Sequence, residues 1–166
     1  MAYPAVGHGE YEIYVDCLRR LGKRYGELGA CLCLETGQET PVTLLRLLFD
    51  AGEKAVAVNL DPANLLMYGK ANPTDGAKLL SPYVRSVHVK DGLYPAGEDF
   101  DLLGAETFPG EGLVDFPALF AALNRAGFSG PVIIEREIPD RFPEVRRIVP
   151  MVRAWLREAK LDGGEA

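Results

Sequence analysis

Four apolar runs, ACLCLE (30–35), AVAVNLD (55–61), YVRSVHVKD (83–91) and PVIIERE (131–137), constrain this chain more than any other feature. Each is too short for a helix, and each is parted from the next by a segment of helical periodicity. Strands joined through helices must run parallel, because the crossover carries the chain back to the end where it began. The pattern therefore predicts an α/β domain: a four-stranded parallel sheet covered by helices.

The helices have readable ends. Tyr11, Tyr14, Val15, Leu18, Leu21 and Tyr25 mark a first helix after the loop MAYPAVGHG, with a stop near Gly26 and Gly29. Thr40 and Pro41 cap a second, which halts at Gly52; Asn72 and Pro73 open a third, to about Leu80; Asp115 caps FPALFAALNRAG. FPEVRRIVPMVRAWLREAK closes the fold, with a kink expected at Pro150, and residues 161–166 are expected to fray. Gly92 to Val114 holds seven Gly or Pro residues and reads as a functional excursion over one end of the sheet. At 166 residues, all of this belongs to a single domain.

Charge narrows the partners. A net charge of -6 and a pI near 5.0 argue against nucleic acid, whose phosphates are held by clustered Lys and Arg. Three cysteines and no apolar leader suggest neither a disulfide framework nor a secretory signal, and no run reaches the roughly 18 residues of a membrane span. The expected setting is the cytoplasm, without membrane association.

Each strand carries a possible metal ligand near its C-terminal end: Glu35, Asp61, His88 and Glu135, at intervals of 26, 27 and 47 residues. The first two intervals fit one strand, one helix and two turns; the third adds the long loop. Parallel α/β folds gather their sites at such strand ends. Alternation along a strand gives a second test. Glu35 shares its face with Cys31 and Cys33, Asp61 with Asn59, His88 with Ser86 and Lys90, and Glu135 with Ile133 and Glu137, while Leu, Val and Ile fill the opposite face.

Three carboxylates and one imidazole suit a divalent ion such as Mn²⁺, Mg²⁺, Co²⁺ or Zn²⁺. Simpler uses exist for each residue alone: His88 as a buried structural histidine, Glu35 and Asp61 as caps of the following turns. Cys31 and Cys33 read as small core residues, Arg136 and Glu137 as exposed or salt-bridged, and His8 as solvent-exposed.

ETGQETP, NLDPANLLMYG, VHVKDGLYP, GEGLVDFPAL and GPVIIERE together resemble the sugar phosphate isomerase/epimerase family of xylose isomerase-like barrels, which includes ketose 3-epimerases and inosose dehydratases. The resemblance implies strands five to eight of a (β/α)8 barrel, with a metal on Glu35, Asp61, His88 and Glu135. It implies that Glu35 and Glu135 also pass a proton between the faces of an ene-diolate. Asn64 stands where several relatives carry a substrate-contacting His, and Lys90 and Asp91 are placed to touch the substrate or the metal's ligands. The implied activity is a metal-dependent isomerase or epimerase of a sugar, sugar phosphate or polyol.

Only the C-terminal half of the family's barrel is matched. Two open strand edges then invite a second copy or a partner chain to complete the sheet. The competing expectations are a catalytically silent half-barrel that binds metal or sugar and, more remotely, an apurinic-site endonuclease, whose three-metal cluster needs more than the two histidines present.

Overall fold

The computed structural model describes residues 6–97 and 103–161. Helix α1 (Gly9–Glu27) leads to strand β1 (Leu32–Glu35), α2 (Pro41–Ala51), β2 (Val56–Leu60), the short α3 (Pro62–Met67) and α4 (Pro73–Leu80). A single 3₁₀ turn then enters β3 (Val84–Val89). The excursion follows, stitched by β4 (Asp91–Gly92) and β5 (Glu106–Thr107), and the chain closes with α5 (Phe116–Arg125), β6 (Val132–Ile134) and α6 (Phe142–Glu158).

The sheet order is β1-β2-β3-β6, and all three pairings are parallel. This is the predicted α/β fold, a four-stranded part of a (β/α)8 barrel. β1 and β6 are its edges. The long excursion adds a two-stranded antiparallel pair of β4 with β5.

Local chemistry sets the helix starts. Thr40 accepts from the Thr43 N–H, Asp61 from Asn64, Asn72 from Thr74 and Asp75, and Asp115 from Ala118; proline follows the first three caps directly and stands at the second helical position, Pro117, after Asp115. Gly52 stops α2 at φ +67°, in the left-handed region. Helix α3 went unforeseen: PANLLM is only six residues, too few to show a period. Helix α6 continues through Pro150 as one helix, on a face where Pro150 and Arg146 are both exposed and water can serve the freed carbonyl.

Apolar residues from both layers fill one side of the sheet. Val56, Val58, Leu60, Val87 and Val89 meet Leu44, Leu48, Leu80, Phe116, Leu119, Phe120 and Ile148, all fully or almost fully buried. Phe116 also stacks on Trp155, ring centroids 4.5 Å apart, which ties α5 to α6. Helix α1 buries Tyr11, Val15, Leu18 and Gly22 against α2 and the sheet. A Cβ at Gly22 would lie 2.5 Å from Val56, so only glycine lets α1 approach this closely.

The other side of the sheet is open. Cys31 is exposed and Cys33 half-buried, which corrects their reading as core residues: they face the concave side, where no second layer of described residues covers them. Ile133 is 44% exposed on the same side. The tail from 162 and the loop residues 98–102 lie outside the described residues; Leu161 itself packs against the core.

Candidate metal centre

Parallel register brings the four strand ends level. Glu35 is paired with Asn59, Asn59 with Ser86, and His88 with Ile133, so the residues just beyond these pairs rise at one rim. There Glu35, Asp61, His88 and Glu135 each present one donor atom, and the four atoms lie within 4.8 Å of one another.

Asp61 is fully buried. Its Oδ1 accepts from the Asn64 N–H at 2.9 Å and caps α3, while Oδ2 is left without a hydrogen bond. The capping use and the cluster use therefore coexist on one carboxylate. Thr36, 2% exposed, holds the Asp61 backbone from both sides: its hydroxyl donates to the Asp61 carbonyl at 2.7 Å and accepts the Asp61 N–H at 2.8 Å.

His88 is held through its far nitrogen. Ser86 donates to Asn59 Oδ1 at 2.6 Å, and the Asn59 amide faces His88 Nε2 at 3.0 Å. Nδ1 is thereby turned toward the carboxylates, 3.5 Å from Asp61, 3.7 Å from Glu35 and in contact with Glu135. It is buried and out of alignment for a hydrogen bond. The adjacent Asp61 carboxylate raises the pKa of His88 against the opposing effect of burial, with Glu135 and Glu35 adding to the rise. Burial and the Asp61 charge push Glu35 up as well.

Lys90 is 2% exposed, and its Nζ reaches Glu137 at 2.7 Å, Glu135 at 3.1 Å and Asp61 at 3.8 Å. Burial alone would lower its pKa, but Glu137, Asp61 and Glu135 outweigh that and raise it, so it stays an ammonium. Asn64 donates to Glu35 at 3.1 Å and to the Thr36 carbonyl at 3.1 Å.

Asp91 is directed elsewhere. Its carboxylate accepts the backbone N–H groups of Gly92, Gly110, Gly112 and Val114 and so anchors the excursion. A Cβ at Gly112 would fall 2.2 Å from that carboxylate, so the anchor requires glycine there.

Thr36, Asn59, Ser86 and Arg136 also shape the site without having been singled out for it. Asn59 and Ser86 carried a signal, since both share a face with a candidate ligand. Thr36 and Arg136 point off that face, and only the folded chain shows what they hold.

The donor set passes a chemical test for a cation. Three carboxylates and an imidazole nitrogen converge, and two of the donors, Asp61 Oδ2 and His88 Nδ1, are buried without a hydrogen bond. Burying such atoms without a hydrogen bond costs about 1–3 kcal/mol each, a cost that ligation would offset.

Comparison with known proteins agrees with the geometry. The family described as the xylose isomerase-like TIM barrel matches residues 3–159. An inosose dehydratase of Geobacillus thermodenitrificans is 27% identical over 172 residues, covering 93% of this chain and 56% of its own length. The crystal structure of a xylose isomerase domain protein from Planctomyces limnophilus superposes with TM-score 0.88 at 30% identity, over 96% of this chain and 58% of that one. A xylose isomerase-like TIM barrel protein from Mycobacterium smegmatis, solved in complex with magnesium, superposes with TM-score 0.77 at 19% identity, over 96% and 55% of the two chains. The chain spans about half the length of the relatives it matches.

Proposed function

The chain belongs to the xylose isomerase-like TIM barrel family, and from that premise we propose that it is the ligand-bearing half of a metal-dependent enzyme acting on a sugar or polyol. The single observation that carries the reading is the convergence of Glu35, Asp61, His88 and Glu135, with Asp61 Oδ2 and His88 Nδ1 buried and without a hydrogen bond. These four residues would hold a divalent ion such as Mn²⁺, Mg²⁺, Co²⁺ or Zn²⁺, which would supply polarisation of a substrate carbonyl and so a more acidic neighbouring C–H.

The side chains divide the remaining work. Glu35, with 45% of its side chain exposed and its pKa raised, is suited to take or return a proton at the open face. Glu135 is held by Lys90 and is the second member of the pair. Asn64, hydrogen-bonded to Glu35, orients that carboxylate and offers its amide to substrate oxygens. Lys90 keeps a fixed positive charge beside Asp61 and Glu135. This arrangement supports an isomerase or epimerase that moves a proton next to a carbonyl.

A dehydratase reading is favoured by the name of the Geobacillus relative, an inosose dehydratase. It shares the first proton abstraction and diverges when a hydroxyl leaves. A panel of sugars, sugar phosphates and inososes, assayed with Mn²⁺ and with EDTA in D₂O, separates the two. Isomerase or epimerase action places deuterium on a product of unchanged composition; dehydration yields an unsaturated product one water lighter. No turnover by any assembly that retains metal supports the silent half-barrel instead.

The site is open on both flanks, because Glu35 ends one edge strand and Glu135 directly follows the other. We propose that a second copy completes it, β1 of each chain lying against β6 of the other around a two-fold axis. Sedimentation of a monomer at micromolar concentration contradicts that assembly.

A further inference from the structure

Glu135 stands one residue past the end of an edge strand, so the sheet does little to hold it. β6 stops at Ile134 and pairs only with β3; the Glu135 N–H to the Val89 carbonyl, at 3.2 Å, is the last backbone bond to that neighbour. Yet Glu135 and Glu137 both reach the buried Nζ of Lys90. Two carboxylates aimed at one ammonium, on a segment beyond its ladder, need a fixed backbone between them.

Arg136 supplies the fixation. It is 7% exposed and points away from its two neighbours into the seam between the excursion and α6. Nε and Nη2 reach one oxygen of Glu144 on α6, at 2.8 and 2.7 Å. Nη1 bonds the Glu106 carboxylate and, at 2.7 Å, the Thr107 carbonyl, both on β5. Glu106 in turn accepts the Glu137 N–H at 3.3 and 3.2 Å. A forked, planar guanidinium spans these acceptors at once; an ammonium on a lysine stem cannot.

We infer that Arg136 is a positioning residue of the metal centre: it clamps the strand end to both α6 and β5 and so sets where Glu135 presents its ligand oxygen. The inference rests on the metal site proposed above. It also ties the excursion, anchored at Asp91, to the placement of a ligand. Partners that orient a metal's ligands carry about ten- to a hundredfold in affinity when removed.

The test is calorimetric titration of the full chain with Mn²⁺, alongside thermal unfolding. Wild type, Arg136→Met and Arg136→Lys are compared with Leu123→Ala, a fully buried core position on α5 outside the site. Arg136→Met is expected to weaken Mn²⁺ binding about ten- to a hundredfold, Arg136→Lys to fall between, and Leu123→Ala to bind as wild type despite its lowered Tm. If Arg136→Met does not fold, Glu106→Gln takes its place and is expected to weaken binding several-fold. Wild-type affinity in Arg136→Met, or in Glu106→Gln where that replaces it, overturns the inference, as does an equal loss in Leu123→Ala. Absence of Mn²⁺ binding by the wild type overturns the metal reading itself, and this inference with it.

Discussion

Asp61 serves two purposes with its two oxygens, and that division shows how far single residues can be read from the sequence. Its position before Pro62 announces a helix cap, and its position after NL announces a rim-facing carboxylate; the fold uses Oδ1 for the first and leaves Oδ2 for the second. Asp61→Asn keeps an oxygen for the cap and puts an amide in the cluster. It should change stability by about 1 kcal/mol or less yet weaken Mn²⁺ binding at least tenfold, as read by urea unfolding beside metal titration. Side-chain parity made His88 legible, with Val87 and Val89 in the core and the ring on the opposite face. Thr36 and Arg136 were not legible, because Thr36 holds Asp61, 25 residues on, and Arg136 reaches Glu106 and Thr107, 30 and 29 residues back, across the excursion. Away from the site, burial and the Asp50 carboxylate, 2.5 Å from its hydroxyl, push Tyr11 up to about 12. A pKa raised above the unfolded value of about 10 gives stability that is complete below that value and lost as pH climbs from there toward about 12. Alkaline unfolding should be shallower over that window in Tyr11→Phe; equal slopes would remove the assignment.

At the scale of elements, capping chemistry made the helices readable almost to the residue, since Thr40 and Asn72 sit one place, and Asp115 two places, before a proline that cannot continue a strand ladder. The strands were readable because their aliphatic faces alternate with polar ones. Helix α3 and the β4–β5 pair were not: six residues and two residues per element leave no period to detect. For the excursion, the structure shows how it is fastened. Four backbone N–H groups converge on Asp91, which is fully buried. Asp91→Asn replaces one of the two acceptor oxygens with a donor that faces N–H groups, and should cost about 2–4 kcal/mol. Hydrogen exchange at Gly110, Gly112 and Val114 should accelerate in that variant; unchanged protection would mean that the excursion is held by other contacts.

At the scale of the molecule, a parallel sheet with helices on one side and an open concave side that carries the four candidate ligands is part of a (β/α)8 barrel. The spacing of four candidate ligands at the strand ends made that part legible in the sequence. How the rest is supplied was not, because edge strands advertise unpaired backbone without naming a partner. The exposure of Cys31 and Ile133 on the concave side follows from the same openness. Native mass spectrometry of the chain in Mn²⁺, beside the double variant His88→Ala/Glu135→Gln, counts ions and chains in one spectrum. The expected spectrum shows one Mn²⁺ per chain, carried by a dimer, and no retained ion in the double variant. A wild-type chain that retains no ion, or a double variant that retains it equally well, would contradict it.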